Sequence, residues 1–255
     1  MRRAGAAAGV LARNAADGRV LPGAADVPGD RRGASSRSGE GRAGRGGHLG
    51  PRCGRRRTSG VIVCRSAAEI ERLARVNALV AEVLAELKGM VVPGVSTADL
   101  DARAEQRVRA SGAEPAFKGY HGYPATICAS VNEQVVHGIP SDRPLAEGDI
   151  VSIDLGARLD GFYGDSAVTV AVGRVSEDVE RLLVVTRASL YEALAAVRAG
   201  GRLSDIGAAV QRHVEAAGFS VVREFVGHGI GSALHEEPQI PNYGTPGRGP
   251  RLAEG

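Results

Sequence analysis

The sequence predicts an α+β fold in which a pair of helices followed by strands occurs twice around a mostly antiparallel sheet. Two segments with the apolar spacing of helices, residues 66–89 and 96–112, precede the first strands. Strand-like runs rich in β-branched residues follow them, and two more helical segments and a further strand come next. Because the same order of elements occurs twice, we expect a duplicated unit whose topology, rather than its sequence, is repeated.

The first two helices are predicted from their N-terminal signals. Ser66 and Glu69 match a capping box, in which each of the two side chains accepts a hydrogen bond from the backbone N–H of the other residue. Ser96 and Asp99 have the same spacing. Gly112 follows the second apolar period in the position of a helix-ending glycine.

The later elements are predicted from β-branched runs and turn residues. The expected order is strands at 125–131, 149–155 and 162–172, helices from Glu177 to Arg198 and from Asp205, capped by Ser204, to Gly218, and a strand from Phe219 to Phe225. After Gly227 the chain is rich in glycine and proline, so we expect no sheet partner for the last strand and no closing element. The fold is therefore predicted to be incomplete at the C-terminus.

Residues 1–60 differ in composition from the rest of the chain. They contain 13 arginines, no lysine and four acidic residues, a net charge of +9, whereas residues 61–255 carry a net charge of −6. A segment with so little apolar surface to bury cannot offset the entropy lost on folding. We therefore expect a disordered Arg/Gly/Ala-rich extension at 1–60 and one domain at 61–255. A transit peptide is the alternative, although Asp17, Asp26 and Asp30 are unusual in such peptides.

Charge, hydropathy and cysteine content argue against several classes of protein. The predicted domain is acidic overall, which disfavours specific nucleic-acid binding. No apolar run approaches the roughly 20 residues that span a bilayer, so no membrane partner is expected. The three cysteines, Cys53, Cys64 and Cys128, are odd in number and widely spaced, which predicts reduced thiols. We expect a monomeric protein of the cytoplasm.

Two aspartates are predicted to converge on one face of a hairpin. Asp160-Gly161 is a strong signal for a two-residue turn. It sets a register in which Asp154 lies opposite Ala167 and diagonal to Asp165, about 7–8 Å away. Apolar residues occupy the other face, and a cation between the carboxylates would remove their mutual repulsion. The alternative is that both aspartates are turn or edge residues in solvent.

Four of the six histidines lie in segments rich in glycine, proline or turn residues rather than on predicted helices. These are His121, His137, His228 and His235. His228 stands between two glycines, where the backbone can approach a ligand closely, and this suits a metal ligand or a catalytic group. His235 lies seven residues later, and its surroundings do not match the HExxH helix of zinc proteases.

Several motifs resemble those of type I methionine aminopeptidases. The motifs lie in matching order and spacing between residues 64 and 255: Tyr120 to Pro124, Cys128 to Glu133, Val136 to Pro140, Gly148 to Asp154, Gly161 to Asp165, Gly227 to Gly231 and His235 to Gln239. The resemblance implies the pita-bread fold of creatinase and the aminopeptidases, two halves about a pseudo-twofold axis with a dinuclear site on the inner sheet face. The implied activity is metal-dependent removal of the initiator methionine from nascent proteins when the second residue is small.

The resemblance also implies a role for each site residue. Asp154 and Asp165 would be metal-binding carboxylates, with Asp165 bridging two divalent ions, and His228 would be the imidazole ligand. The ions would be cobalt, manganese, iron or zinc. His137 and His235 would contact the substrate and would also be the catalytic residues. Tyr120, Tyr123 and Cys128 would contact the substrate by lining the pocket for the methionine side chain. Cys128 as a nucleophile is a weaker alternative.

The resemblance implies two further ligands that fall outside the sequence. They are glutamates in segments beyond the position equivalent to Gly255, so we expect this chain to be weakly active or inactive. The alternatives are an inactive pita-bread fragment and a module that binds peptides or ribosomes. A proline-specific peptidase is disfavoured, because the Tyr120, Tyr123 and Cys128 pocket resembles the methionine enzymes. The expected partners are nascent polypeptide N-termini and the ribosome.

Overall fold

The computed structural model describes residues 12–14 and 62–255. The predicted disordered extension at 1–60 lies outside the described residues apart from Ala12–Asn14, so its disorder stays a prediction. The strands are β1 (Ala12–Asn14), β2 (Glu114–Pro115), β3 (Ile127–Val131), β4 (Ile150–Leu159), β5 (Phe162–Ala171), β6 (Phe219–Val221), β7 (Gly227–Gly229) and β8 (Glu236–Ile240). The α-helices are α1 (Ala67–Met90), α2 (Thr97–Ala110), α3 (Glu177–Ala196) and α4 (Leu203–Ala216), and Tyr120–Gly122 form a 3₁₀ turn.

Helices α1 and α2 begin where the sequence predicts. Ser66 Oγ accepts the N–H of Glu69, and the Glu69 carboxylate accepts the N–H of Ser66 at 2.9 Å. Ser96 and Asp99 form the same box at the start of α2. Both predicted capping boxes are confirmed. The apolar side of α1 is buried along its length from Val76 onwards, and it packs against the sheet.

The first half of the protein contains the largest sheet among the described residues. Strand β4 pairs with β5 along one edge, while β3 and the short β2 lie end to end along its other edge. All of these pairings are antiparallel, as predicted. The sheet buries one face against α1 and α2 in a core that includes Val151, Ile153 and Leu155, each without solvent exposure. Its other face is left for polar groups.

The second half is built on α3 and α4, which pack together with β6 and β8 around a smaller core. Strands β7 and β8 form an antiparallel hairpin with an irregularity between His228 and Gly229. The order of helix pair and strands is therefore repeated, as predicted. Within the described residues, the strands form three separate sheets rather than one continuous sheet.

Several predictions about the second half are corrected by the structure. Helix α4 begins at Leu203, and its N-cap is Arg202, not Ser204, because the Asp205 carboxylate accepts the Arg202 N–H. Ser204 lies inside the helix, and its hydroxyl donates to the carbonyl oxygen of Arg248. The strand predicted over 219–225 ends at Val221. It has an antiparallel partner, Ala12–Asn14, where none was expected. The glycine-rich segment after β8 also packs on the start of α4, where Leu203 N–H donates to the Pro250 carbonyl.

Two contacts place the β7–β8 hairpin against the outer edge of β5. The N–H of Tyr163, on β5, donates to the Gly231 carbonyl at 2.8 Å. The guanidinium of Arg65 forms an ion pair with Glu236, the residue after His235, and lies over the Phe162 ring. The segment before α1, which contains Arg65, is therefore joined to β8 of the hairpin.

Candidate metal centre

The acidic pair is positioned by the β4–β5 hairpin. Its turn residues Asp160 and Gly161 both have positive φ, 51° and 81°, as a tight two-residue hairpin requires. The register pairs Asp154 with Ala167, as predicted. Asp154 and Asp165 therefore lie on the same face, and their side chains are close enough for each to affect the pKa of the other.

Burial and mutual repulsion control the protonation of this pair. Burial raises the pKa of Asp154 well above its usual range, and the charge and hydrogen bond of Asp165 raise it further. Burial also raises the pKa of Asp165, although the hydrogen bond from Asp154 and the nearby His228 act in the opposite direction. Asp154 Oδ1 has no access to solvent and no hydrogen-bond partner within residues 12–14 and 62–255. An unpaired buried carboxylate oxygen is costly unless something else binds it.

His228 is oriented by the irregularity between it and Gly229. Its Nδ1 lies 2.9 Å from the Gly229 carbonyl oxygen. Because a carbonyl oxygen only accepts, Nδ1 carries a proton, so in the neutral form of the ring Nε2 keeps its lone pair. Nε2 lies 3.8 Å from Oδ2 of Asp165. The free lone pair therefore faces the acidic pair, in the orientation that metal-binding histidines adopt.

His235 lies beside His228. Their ring centroids are 4.3 Å apart. The Tyr120 hydroxyl lies 3.0 Å from His235 Nδ1. Burial lowers the pKa of His235, and the neighbouring His228, His121 and His137 lower it further. His235 is therefore a neutral imidazole at physiological pH.

Cys128 and Tyr123 lie on the same side of the sheet as the acidic pair. Cys128 is the direct cross-strand partner of Asp154, so their side chains share a face. Burial raises the pKa of the Cys128 thiol to about 11, and Asp154 contributes to the rise. A thiol that holds its proton so firmly is a poor nucleophile, so the structure disfavours that alternative. The Tyr123 hydroxyl is 2.9 Å from the carbonyl oxygens of Ile127 and Gly138.

The His137 side chain lies beside Phe225. Its ring packs edge-on to Phe225, with centroids 6.0 Å apart, and its backbone has φ of 60°. No described contact joins it to Asp154 or Asp165. The structure thus brings the three predicted ligands together with His235, Tyr120 and Cys128, and leaves His137 at the edge.

Sequence reasoning did not identify two residues that support the site. Asp101 of α2 accepts the backbone N–H groups of Thr126 and Ile127 at 2.8 and 2.9 Å, which fixes the start of β3. Phe117 covers Gly156, the cross-strand partner of Asp165, so closely that a Cβ there would overlap its ring. Neither residue belongs to a periodic or turn pattern, so nothing in the local sequence indicates its role.

The donor atoms fit part of a divalent-metal site. No group of three or more His, Cys, Asp or Glu side chains in the described part of the chain is drawn together tightly enough to hold an ion. The donors occur instead as two adjoining pairs, Asp154 with Asp165 and Asp165 with His228. The unpartnered Oδ1 of Asp154 and the free Nε2 of His228 are the kinds of atom that first-row divalent ions bind.

Comparison with known proteins identifies the family. The family model of metallopeptidase family M24 matches residues 71–255. The chain belongs to this family. It is therefore a metallopeptidase, and its hydrolytic chemistry depends on divalent metal ions. Among the described residues, no helix has the length and apolar character needed to cross a membrane.

The relatives within M24 confirm the resemblance seen in the motifs. The chain is 51% identical over 195 residues to methionine aminopeptidase 1 of Bacillus subtilis, and the matched region covers 76% of this chain and 79% of that protein. It is 48% identical to methionine aminopeptidase 1 of Mycobacterium tuberculosis over 202 residues, or 76% of each chain. The crystal structure of the Thermotoga maritima methionine aminopeptidase superposes with a TM-score of 0.74 at 44% identity, covering 76% of this chain and 78% of that one. The expected pita-bread fold is confirmed.

Proposed function

We propose that this M24 metallopeptidase removes the initiator methionine from new polypeptides whose second residue is small. The observation that carries the proposal is the buried Asp154–Asp165 pair, with one orphaned carboxylate oxygen, facing the free Nε2 of His228. The identity of its relatives as methionine aminopeptidases supports the choice of substrate. We further propose that the site takes two divalent ions, chosen from cobalt, manganese, iron and zinc, which Asp154, Asp165 and His228 would hold.

The protein's own residues have distinct parts in this reaction. Asp154, Asp165 and His228 would hold the ions, which when bound would polarise the scissile carbonyl and lower the pKa of a water molecule. His235 and His137 would hydrogen-bond the peptide and stabilise the charge that develops on its carbonyl oxygen. Tyr120, Tyr123 and Cys128 would contact the methionine side chain, since aromatic and sulfur surfaces suit a thioether.

Metal binding tests the ligand assignment without requiring turnover. Isothermal titration with Mn²⁺ is expected to show binding to the wild-type chain and a loss of at least about tenfold in affinity for Asp165→Asn, since even residues behind the ligands cost that much. Asp160→Asn, on the exposed tip of the same hairpin, is the matched control and should bind as the wild type does. Equal affinity in all three proteins would refute the assignment.

Peptide hydrolysis tests the reaction. Methionine released from Met-Ala-Ser and from Met-Leu-Ser can be measured in buffers that contain Mn²⁺, Co²⁺ or Fe²⁺. We expect release from the first peptide to exceed release from the second, and Asp165→Asn to abolish both. Preference for the large second residue, or release that survives Asp165→Asn, would contradict the proposal.

A second function, peptide binding without hydrolysis, is favoured by one observation. The donors within the described residues occur only as pairs, with no cluster of three positioned to hold an ion. A site that holds metal weakly would still offer His235, Tyr120 and Tyr123 to a peptide. This alternative predicts that Met-Ala-Ser binds, as measured by fluorescence anisotropy of a labelled peptide, while no methionine is released.

The compartment and partners are part of the same proposal. New polypeptide N-termini are available where ribosomes translate, so we place the protein in the cytoplasm. We also propose that it is a monomer. The net charge of +9 over residues 1–60 would favour a loose association with ribosomal RNA. Sedimentation with ribosomes at low and high salt concentration tests this association. Binding that is equally strong at both salt concentrations would exclude an electrostatic contact.

A further inference from the structure

Two neighbouring histidines of the site make different hydrogen bonds through the same ring atom. The rings of His228 and His235 are tilted by 47° and their centroids are 4.3 Å apart. Nδ1 of His228 donates to the Gly229 carbonyl, which leaves Nε2 of the neutral ring unprotonated. Nδ1 of His235 meets a hydroxyl instead, that of Tyr120, at 3.0 Å. The proton position on His235 therefore depends on which partner donates.

The chemistry of the two groups decides the direction of this hydrogen bond. A phenol O–H is a stronger acid than the N–H of a neutral imidazole, and the unprotonated imidazole nitrogen is a stronger base than a phenol oxygen. Donation from the Tyr120 hydroxyl to His235 Nδ1 is accordingly the stronger of the two arrangements. A neutral imidazole has one N–H, so accepting at Nδ1 places the proton on Nε2.

We propose that Tyr120 is a positioning residue that holds His235 in the tautomer protonated at Nε2, opposite to the tautomer of His228. His235 then presents a donor at Nε2, while His228 presents a lone pair at the same atom. A carbonyl oxygen accepts hydrogen bonds and a metal ion takes lone pairs, so each ring is matched to a different ligand. Only the assignment of the carbonyl group that accepts from His235 Nε2 to a peptide substrate rests on the proposed function.

Tyr120 is held firmly enough for this task. It opens the 3₁₀ turn after Gly119, whose φ of 87° turns the chain, and its N–H donates to the Phe117 carbonyl at 2.9 Å. The ring of His121 packs edge-on against it with centroids 4.4 Å apart. These contacts use the backbone and the ring of Tyr120, so a change to phenylalanine removes the hydroxyl and leaves them in place.

The tautomer can be read directly by nitrogen NMR. In the full chain labelled with ¹⁵N-histidine and free of added metal, long-range ¹H–¹⁵N correlation separates protonated from unprotonated ring nitrogens. The measurement is made near pH 8.5, above the ordinary pKa of histidine. The variants are Tyr120→Phe and, as a matched loss of one exposed hydroxyl elsewhere, Tyr191→Phe. His235→Gln assigns the signals by their loss.

In the wild type and in Tyr191→Phe we expect His235 to be protonated at Nε2. In Tyr120→Phe the preference should shrink by roughly tenfold, the effect of one hydrogen bond, and give a mixture of tautomers. Protonation of His235 at Nδ1 in the wild type, or an unchanged tautomer in Tyr120→Phe, would overturn the proposal. The result does not depend on turnover, so a chain that releases no methionine still tests the role of Tyr120.

Discussion

Asp101 is expected to control the start of the strand that carries Cys128, although it lies on α2 and outside the face that carries the acidic pair. One of its carboxylate oxygens accepts the N–H groups of Thr126 and Ile127 at 2.8 and 2.9 Å. Neither Thr126 nor Ile127 has solvent-exposed surface. In Asp101→Ala both of these buried N–H groups lose their acceptor. Each unsatisfied buried donor costs about 1–3 kcal/mol, so the variant should lose roughly 2–6 kcal/mol of unfolding free energy.

Urea denaturation followed by circular dichroism measures this loss. Asp101→Asn keeps an acceptor oxygen at the same place without its charge, and it should lose only about 1 kcal/mol. Asp142→Ala removes an exposed aspartate and should change the stability by less than about 0.5 kcal/mol. A cost for Asp101→Ala no larger than that of Asp142→Ala would refute the idea that these two hydrogen bonds fix β3.

Two further predictions concern the acidic face and a close backbone contact. In metal-free protein the folded state of Asp154 keeps its proton above pH 4 while the unfolded chain releases it, so stability falls as pH rises through that range. Asp154→Asn removes this fall, which amounts to about 1.4 kcal/mol for each unit of difference between the folded and unfolded pKa values. Urea unfolding in EDTA at pH 5 and 8 should show that the unfolding free energy of Asp154→Asn, relative to that of the wild type, increases with pH. A Cβ at Gly138 would lie 2.8 Å from Ser130 Cα, so Gly138→Ala should cost about 1–3 kcal/mol. Gly89→Ala, in open space within α1, should instead gain about 0.5–1 kcal/mol, and thermal unfolding that ranks these two variants the other way would contradict the packing argument.

The parts of the site that local sequence determines were predicted correctly. The turn at Asp160-Gly161 accepts positive φ at both positions, which sets the register of β4 and β5 residue by residue. Period-two alternation then decides which side chains share a face, so the convergence of Asp154 and Asp165 follows from the turn alone. The capping boxes at Ser66 and Ser96 are likewise complete within four residues.

Elements that depend on distant partners could not be predicted in the same way. Residues 227–229 contain two glycines and a histidine, and they become a strand only because Glu236–Ile240 lies beside them. Ser204 carries a good capping side chain, but Arg248, 44 residues away, binds it. The pairing of His235 with Tyr120 spans 115 residues and has no local signature. Pattern reasoning therefore locates the acidic pair and leaves the histidines to the family resemblance.

The two faces of the β4–β5 hairpin have opposite effects on stability. On the polar face, burial disfavours ionisation of both aspartates, and Asp154 Oδ1 is unpaired among the described residues. On the other face, Val151 and Ile153 are completely buried against α1 and α2, and burial of such side chains contributes about 1.5–3 kcal/mol each. Because alternate residues of one strand serve both purposes, the acidic pair is held in place by the packing of its immediate neighbours in sequence. The rigidity that a metal site would need is thus supplied by the same ten-residue strand that carries Asp154.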